Sequence, residues 1–192
     1  MKIIIVGAGL SGLCTAISLR KYVRPKLAEP LEVKVYDEAD IKPRGDIEYG
    51  NNDLSAIRSK GQGAAISLQA NAFKVLRDID PRLAERVYAS GFPCKGFSWK
   101  TAGDWLLGYE YLEAHPVSRP LLVETLQEAL PKGTVVYRTV SGAETGADGR
   151  AKVFFQDGGD EEADLVIGAD GIRSPVRRSL FGDRAEYQPV YL

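Results

Sequence analysis

In the first part of the chain, the order of apolar and polar positions predicts a strand, a helix and a second strand. Residues 2–6 form an apolar, mostly β-branched run, which is typical of a strand covered on both faces. Residues 10–21 carry apolar side chains at helical spacing, and a second β-rich run follows at residues 32–37. The order of these segments predicts a right-handed βαβ unit.

The rest of the pattern predicts helices mixed with antiparallel strands. A polar stretch predicts an extended loop over residues 38–63, and a strongly acidic stretch predicts a solvated turn over residues 157–164. The predicted helices cover residues 71–79, 80–90, 119–130 and 174–180, and the predicted strands lie within 95–118, 134–140, 151–156 and 164–168. We expect residues 134–140 and 151–156 to form a hairpin. The fold class is therefore α/β, with a Rossmann-like βαβ domain and an inserted antiparallel β segment.

Composition narrows the classes of function. The 192 residues suffice for one domain, and 25 basic against 26 acidic residues give a net charge of −1, which offers nucleic acid no basic field. No apolar run approaches about 18 residues, so we expect no membrane span and a cytoplasmic location. Cys14 and Cys94 lie far apart and His115 is the single histidine, so we expect two buried thiols, no metal site and no histidine-dependent triad.

A glycine motif stands where the first strand ends and the first helix begins. The segment Gly7-Ala-Gly9-Leu10-Ser11-Gly12 matches the spacing of a dinucleotide-binding loop. Gly7 permits the tight turn, Gly9 lets the backbone approach a pyrophosphate, and Gly12 lets the helix pack closely on the strand. The free N–H groups and partial positive charge of the helix N-terminus favour phosphate, so this loop is a candidate nucleotide site.

The same motif requires an acid at the end of the second strand, where it holds ribose hydroxyls. Asp37 and Glu38 both stand there. Alternation along the strand puts Asp37 on the face of Val33 and Val35, so we choose Asp37 first and Glu38 second. An acid at the ribose argues against a 2′-phosphate. The residues alone leave FAD and NAD open, because the motif binds the adenosine diphosphate part of either.

A second motif lies near the end of the chain. The stretch Asp164-Leu-Val-Ile-Gly-Ala-Asp-Gly-Ile-Arg-Ser-Pro-Val-Arg177 contains an Asp-Gly pair after a strand, followed by a serine and an arginine. Together with the glycine motif, it resembles the FAD-dependent monooxygenases of the para-hydroxybenzoate hydroxylase and salicylate hydroxylase-like type. In that family the matching positions are Asp170, Gly171, Ser174 and Arg177. The resemblance implies FAD as the cofactor and Asp170 as a cofactor-binding residue.

Two segments in the middle of the chain extend this resemblance. Residues 63–72 resemble the segment that passes near the flavin, and residues 119–126 resemble the helix whose first arginine, here Arg119, contacts the cofactor. The family's activity implies NAD(P)H as transient reductant, O₂, and hydroxylation of a small, typically aromatic substrate. Residues 95–118 then correspond to the start of a substrate-domain β segment within one partial FAD-binding domain over residues 1–192. The catalytic residues stay unknown.

The chain departs from the family in two respects. The acid at the second strand is usually a glutamate followed by a basic residue, whereas Asp37 is followed by Glu38. Family members also continue past this length into a third flavin motif, so we expect a C-terminally truncated chain that is inactive alone. The alternatives are a non-catalytic flavin-binding module, a split enzyme that a complementary C-terminal chain completes, and an NAD-binding oxidoreductase.

Overall fold

The structure is a computed structural model that describes residues 1–38 and 65–182. The strands are β1 (Lys2–Val6), β2 (Glu32–Asp37), β3 (Ala65–Leu68), β4 (Cys94–Lys100), β5 (Leu106–Ser118), β6 (Val135–Tyr137), β7 (Val140–Thr145), β8 (Ala151–Phe155), β9 (Asp160–Ala163) and β10 (Leu165–Gly168). The helices are α1 (Leu10–Ser18), α2 (Ala70–Ile79), α3 (Pro81–Ala89), α4 (Arg119–Glu128) and α5 (Pro175–Phe181). All but the first residue of the predicted loop over 38–63 lies outside the described residues.

The chain divides into two compact units, which we describe separately. The first unit contains residues 1–40 and 126–192, and the second contains residues 41–125. A parallel sheet with the strand order β10-β1-β2-β6 forms the centre of the first unit. Ile5 of β1 lies between Val35 of β2 and Ile167 of β10. The predicted α/β class and the parallel β1-α1-β2 unit are therefore confirmed.

The first helix is shorter than the predicted helix over residues 10–21. Its α-helical part ends at Ser18 and continues as a π-helical turn over Leu19–Val23 and a 3₁₀ turn over Arg24–Lys26. Pro25 has no N–H for an i→i−4 hydrogen bond, so a regular α-helix cannot run through it. Leu13, Ala16 and Ile17 form the buried face of the helix.

An antiparallel sheet with the order β7-β8-β9 completes the first unit and corrects two predictions. Residues 135–137 of the predicted hairpin arm instead pair in parallel with β2, and Val135 lies opposite Val35. The hairpin partner of β8 is Val140–Thr145. The acidic stretch is not only a turn, since Asp160–Ala163 forms a strand whose exposed acids flank Lys152.

A hydrophobic cluster and a charged cluster lie within the first unit. The buried apolar side chains come from both sheets and α5: Ile4, Val6, Tyr36, Val140, Val153, Phe155, Ala163 and Val176. Beside them the Glu161 carboxylate lies 2.7 Å from the Lys2 ammonium and 2.9 Å from the Lys34 ammonium, and it accepts a hydrogen bond from the Tyr36 hydroxyl. These contacts connect β1 and β2 with β9.

The second unit contains an antiparallel sheet with the order β3-β5-β4 and the helices α2 and α3. Asp80 caps α3 through its side chain, as the Asp80-Pro81 pair predicts. His115 is buried near the end of β5, where its Nε2 lies 2.7 Å from the Tyr88 carbonyl oxygen and its ring stacks on the Tyr88 ring. The single histidine therefore serves packing.

Candidate nucleotide site

The loop after β1 contacts the end of β2, and the last residue of β1 contacts the loop that follows β10. The Gly7 N–H donates to the Tyr36 carbonyl oxygen of β2 at 2.6 Å, and the Ala169 N–H donates to the Val6 carbonyl oxygen at 2.7 Å. Gly7 has a φ of 104°, and a Cβ there would lie 2.3 Å from the Ala169 carbonyl oxygen. Only glycine fits this close approach. The glycine loop and the Asp-Gly loop therefore meet at the carboxyl edge of the parallel sheet, where open α/β sheets bind ligands.

Gly12 has the packing role that its place in the motif predicts. It is buried in the first turn of α1, and a Cβ at this position would lie 1.9 Å from the Gly7 carbonyl oxygen. The helix could not approach the turn this closely with any side chain at residue 12. The protein's own packing thus explains Gly7 and Gly12.

Gly9 is different, because no contact among the described residues requires a glycine there. Its backbone is extended, and apart from its chain neighbours no heavy atom of residues 1–38 and 65–182 lies within 4 Å of the Cβ that a side chain would add. Gly9 is the N-cap of α1, no side chain caps the helix, and the first turn carries no acidic residue. Helix N-terminal N–H groups and open space therefore stand together, as a bound pyrophosphate requires.

The structure joins Asp37 to the glycine loop. The Asp37 Oδ2 accepts a hydrogen bond of 2.5 Å from the Ala8 N–H, which lies between the first two motif glycines. Asp37 is half-buried, and Glu38 is exposed just past the end of β2. This contact agrees with the choice of Asp37 before Glu38. Their contact with a ribose stays a prediction.

Asp170 and Ser174 hold the start of α5. The Asp170 Oδ2 accepts from the Val176 N–H at 3.1 Å, and the Ser174 Oγ accepts from the Arg177 N–H at 2.9 Å. Gly171 between them has a φ of 76°, which favours glycine. The Asp-Gly motif thus forms a tight loop whose first residue stands beside Gly7.

The site residues of the two units are described separately. Gly7, Gly9, Leu10, Ser11, Gly12, Asp37, Glu38 and Asp170 all belong to the first unit. Arg119 is the exposed first residue of α4 and belongs to the second unit, so its contact with a cofactor stays a prediction. Residues 63 and 64 of the flavin-proximal segment lie outside the described residues.

The cysteines and the charged cluster complete the chemistry of the described residues. Cys14 and Cys94 are free but only half-buried, so the prediction of two buried thiols is wrong in its extent of burial. The partial burial of Cys14 raises the pKa of its thiol. Burial raises the pKa of Glu161, but the hydrogen bonds from Lys2, Tyr36 and Lys34 outweigh this effect and lower the pKa to about 2.

Within residues 1–38 and 65–182 no group of metal-ligating side chains comes together, and no helix is long and apolar enough to cross a membrane.

No family model matches the chain, but curated proteins and solved structures do. Zeaxanthin epoxidase from Spinacia oleracea is 30% identical over 196 residues, which cover 95% of this chain and 26% of that protein. The FAD-dependent monooxygenase eupB from Phoma sp is 28% identical, covering 94% of this chain and 40% of that protein. The chain therefore spans between about a quarter and two fifths of these relatives.

Solved structures share the fold. The crystal structure of FqzB matches with a TM-score of 0.72 and 23% identity, covering 95% of this chain and 39% of that chain. A variant of Klebsiella pneumoniae HpxO, solved with FAD, matches with a TM-score of 0.68 and 23% identity over 93% of this chain and 42% of that one. Over nearly its whole length, the chain is thus similar to part of the FAD-dependent monooxygenases, as its motifs predicted.

Proposed function

We propose that this chain binds the adenosine diphosphate part of FAD at the glycine loop and forms the cofactor-binding part of a flavin-dependent monooxygenase. One observation carries the proposal: the open space at Gly9 beside the uncapped N-terminus of α1. A ligand can occupy this space, since no atom of the described residues does. The names of the relatives favour FAD over NAD as that ligand.

Each predicted site residue has a role in this proposal. The pyrophosphate lies against Gly9 and the N–H groups of Leu10, Ser11 and Gly12. Asp37, held by the Ala8 N–H, accepts from ribose hydroxyls, with Glu38 as the second candidate. Asp170 and Arg119 contact the cofactor further along its length.

The proposed reaction is oxygenation of a small molecule. FAD supplies the redox and oxygen chemistry when it is bound, with NAD(P)H as the transient reductant, and the protein orients it and excludes water. One matched structure is a complex of HpxO with FAD and uric acid, which supports a small, typically aromatic substrate here. Because the matched relatives are much longer, we expect the 192 residues alone to bind FAD weakly and to hydroxylate nothing.

Titration with three ligands tests the cofactor assignment. FAD and ADP share the adenosine diphosphate part, whereas FMN lacks it, so we expect ADP to compete with FAD and FMN to bind at least about tenfold more weakly than FAD. Flavin fluorescence and calorimetry measure these affinities. Equal binding of FMN and FAD, or preference for NAD over FAD, would contradict the proposal. Substrate-dependent NAD(P)H oxidation with hydroxylated product from the chain alone would contradict the expected inactivity.

A further inference from the structure

The side chain of Arg177 folds back from α5 onto the loop that precedes the helix. Its Nη1 lies 3.5 Å from the Gly171 carbonyl oxygen, and its Nη2 donates to the Ile172 carbonyl oxygen. One rigid, planar guanidinium thus binds two successive carbonyl groups. Since each peptide group is planar, these bonds orient the two peptide planes that follow Gly171 and Ile172.

Arginine is an unfavourable residue for α5 itself. Arg177 lies in the first turn of the helix, where the positive end of the helix dipole disfavours a cation. Its Nε is buried without a hydrogen-bond partner among the described residues, and an unsatisfied buried donor costs free energy. Helix stability and burial would both favour an apolar side chain. The contacts of the guanidinium with the two loop carbonyl oxygens therefore explain why an arginine stands at this position.

The loop that Arg177 holds is part of the candidate nucleotide site. Its first residue, Asp170, accepts from the Val176 N–H, and the Asp170 N would lie 2.9 Å from a Cβ at Gly7. A shift of the loop therefore moves the backbone against which the glycine loop packs. The connection runs from Arg177 through Gly171 and Asp170 to Gly7.

We propose that Arg177 is a positioning residue: its guanidinium sets the conformation of the loop over residues 170–173 and thereby the shape of the nucleotide site. The effect on nucleotide binding rests on the proposed function. The effect on the loop does not.

Amide exchange in the ligand-free chain tests the first step. Arg177→Met removes the donors but keeps an unbranched side chain, and Arg178→Met is the matched control because Arg178 is exposed on the same helix. We expect exchange of the Val176 and Arg177 amides to accelerate about tenfold in Arg177→Met, as loss of a charge-assisted hydrogen bond implies, with no change in β1. Exchange at the rate of the Arg178→Met control would overturn the proposal.

FAD affinity tests the second step. We expect Arg177→Met to bind FAD about tenfold more weakly than wild type, and Arg178→Met to bind as wild type does. Arg177→Lys is expected to recover part of this loss, because one ammonium cannot reproduce the arginine fork. Recovery by lysine distinguishes positioning of the loop from filling of space.

The two steps fail in different ways. Absence of FAD binding in wild type would contradict the proposed function, while amide exchange would still decide the role of Arg177. If Arg177→Met does not fold, Arg177→Lys decides. Accelerated exchange with weaker FAD binding at an unchanged thermal midpoint supports both steps, and accelerated exchange with wild-type FAD affinity overturns the second step.

Discussion

Both units contain fully buried apolar side chains, Val87 and Val117 among those of the second, but among the described residues the second unit exposes more aromatic side chains than the first. In the first unit, Ile4, Ile5 and Val153 are fully buried between layers of the fold. In the second unit, the hairpin formed by β4, β5 and the turn between them carries aromatic side chains in solvent, with Trp105 of the turn 78% and Tyr111 of β5 70% exposed. Contiguous exposed apolar surface marks an interaction or ligand surface more often than a finished exterior. We propose that the hairpin at residues 95–118 begins a substrate domain.

Substitution of the motif glycine Gly12 should give the largest loss in the free energy of unfolding of the first unit. Gly12→Ala places a Cβ against the Gly7 carbonyl oxygen, so we expect a loss of about 3 kcal/mol or more in the free energy of unfolding. The control is Gly103→Ala in the second unit, where the nearest atom to the Cβ is 3.6 Å away and we expect a change of less than about 0.5 kcal/mol. Urea denaturation measures both, and equal effects would contradict the described packing.

Truncation of one apolar side chain in each unit sharpens the contrast. Val153→Ala leaves a cavity in the first unit and should cost about 2 kcal/mol of unfolding free energy. Trp105→Ala removes a larger but exposed side chain and should cost less than about 0.5 kcal/mol. If the tryptophan substitution costs as much as the valine substitution, the hairpin is covered in solution and the comparison fails.

The ion pairs of the two units should respond differently to acid. The pKa of Glu161 is lowered to about 2, so its contribution to stability is present above the usual glutamate pKa and is lost as pH falls towards 2. We expect Glu161→Gln to lower the unfolding free energy by about 1.5 kcal/mol at pH 7 and to flatten its acid dependence. Asp104 pairs with Lys100 in solvent at 2.7 Å, so Asp104→Asn should leave the unfolding free energy at pH 7 unchanged. Unfolding curves between pH 2 and 7 check both results.

FAD affinity compares the proposed contributions of Asp37 and Arg119 to cofactor binding. Asp37→Asn should weaken FAD binding about tenfold, because the carboxylate accepts from Ala8 and, as proposed, from the ribose. Arg119→Ala should weaken FAD binding by a smaller factor of about three, since the contact that we propose for Arg119 is made by a single exposed charge. A larger effect at Arg119 than at Asp37 would reverse this ranking.

Sequence patterns correctly predicted the features that depend on interactions between residues close together in the chain. The run at residues 2–6, the glycine motif and the Asp80-Pro81 cap act within a few residues, and all three appear where they were predicted. Residues 135–137 were assigned to a hairpin because their partner, β2, lies about a hundred residues earlier in the chain. The acidic strand at 160–163 carries a composition typical of turns, and its pairing with β8 outweighs that composition.

The candidate site likewise has some features that the sequence predicted and others that only the structure shows. Spacing identified Gly7, Gly9 and Gly12, but the sequence could not distinguish the two glycines that packing requires from the one that stands in open space. The hydrogen bond from Ala8 to Asp37 and the Arg177 guanidinium on Gly171 depend on how loops close. Loop closure is set by tertiary contacts that no short pattern encodes.

Substitution of Gly9 tests the central claim most directly. Gly9→Val adds a side chain to space that no described atom occupies and to a backbone that is already extended, so the ligand-free protein should stay folded and lose only about 1 kcal/mol of unfolding free energy, because valine is a poorer N-cap residue than glycine. If the space belongs to the pyrophosphate of FAD, the same variant binds FAD at least about tenfold more weakly. A folded variant with unchanged FAD affinity would contradict the account.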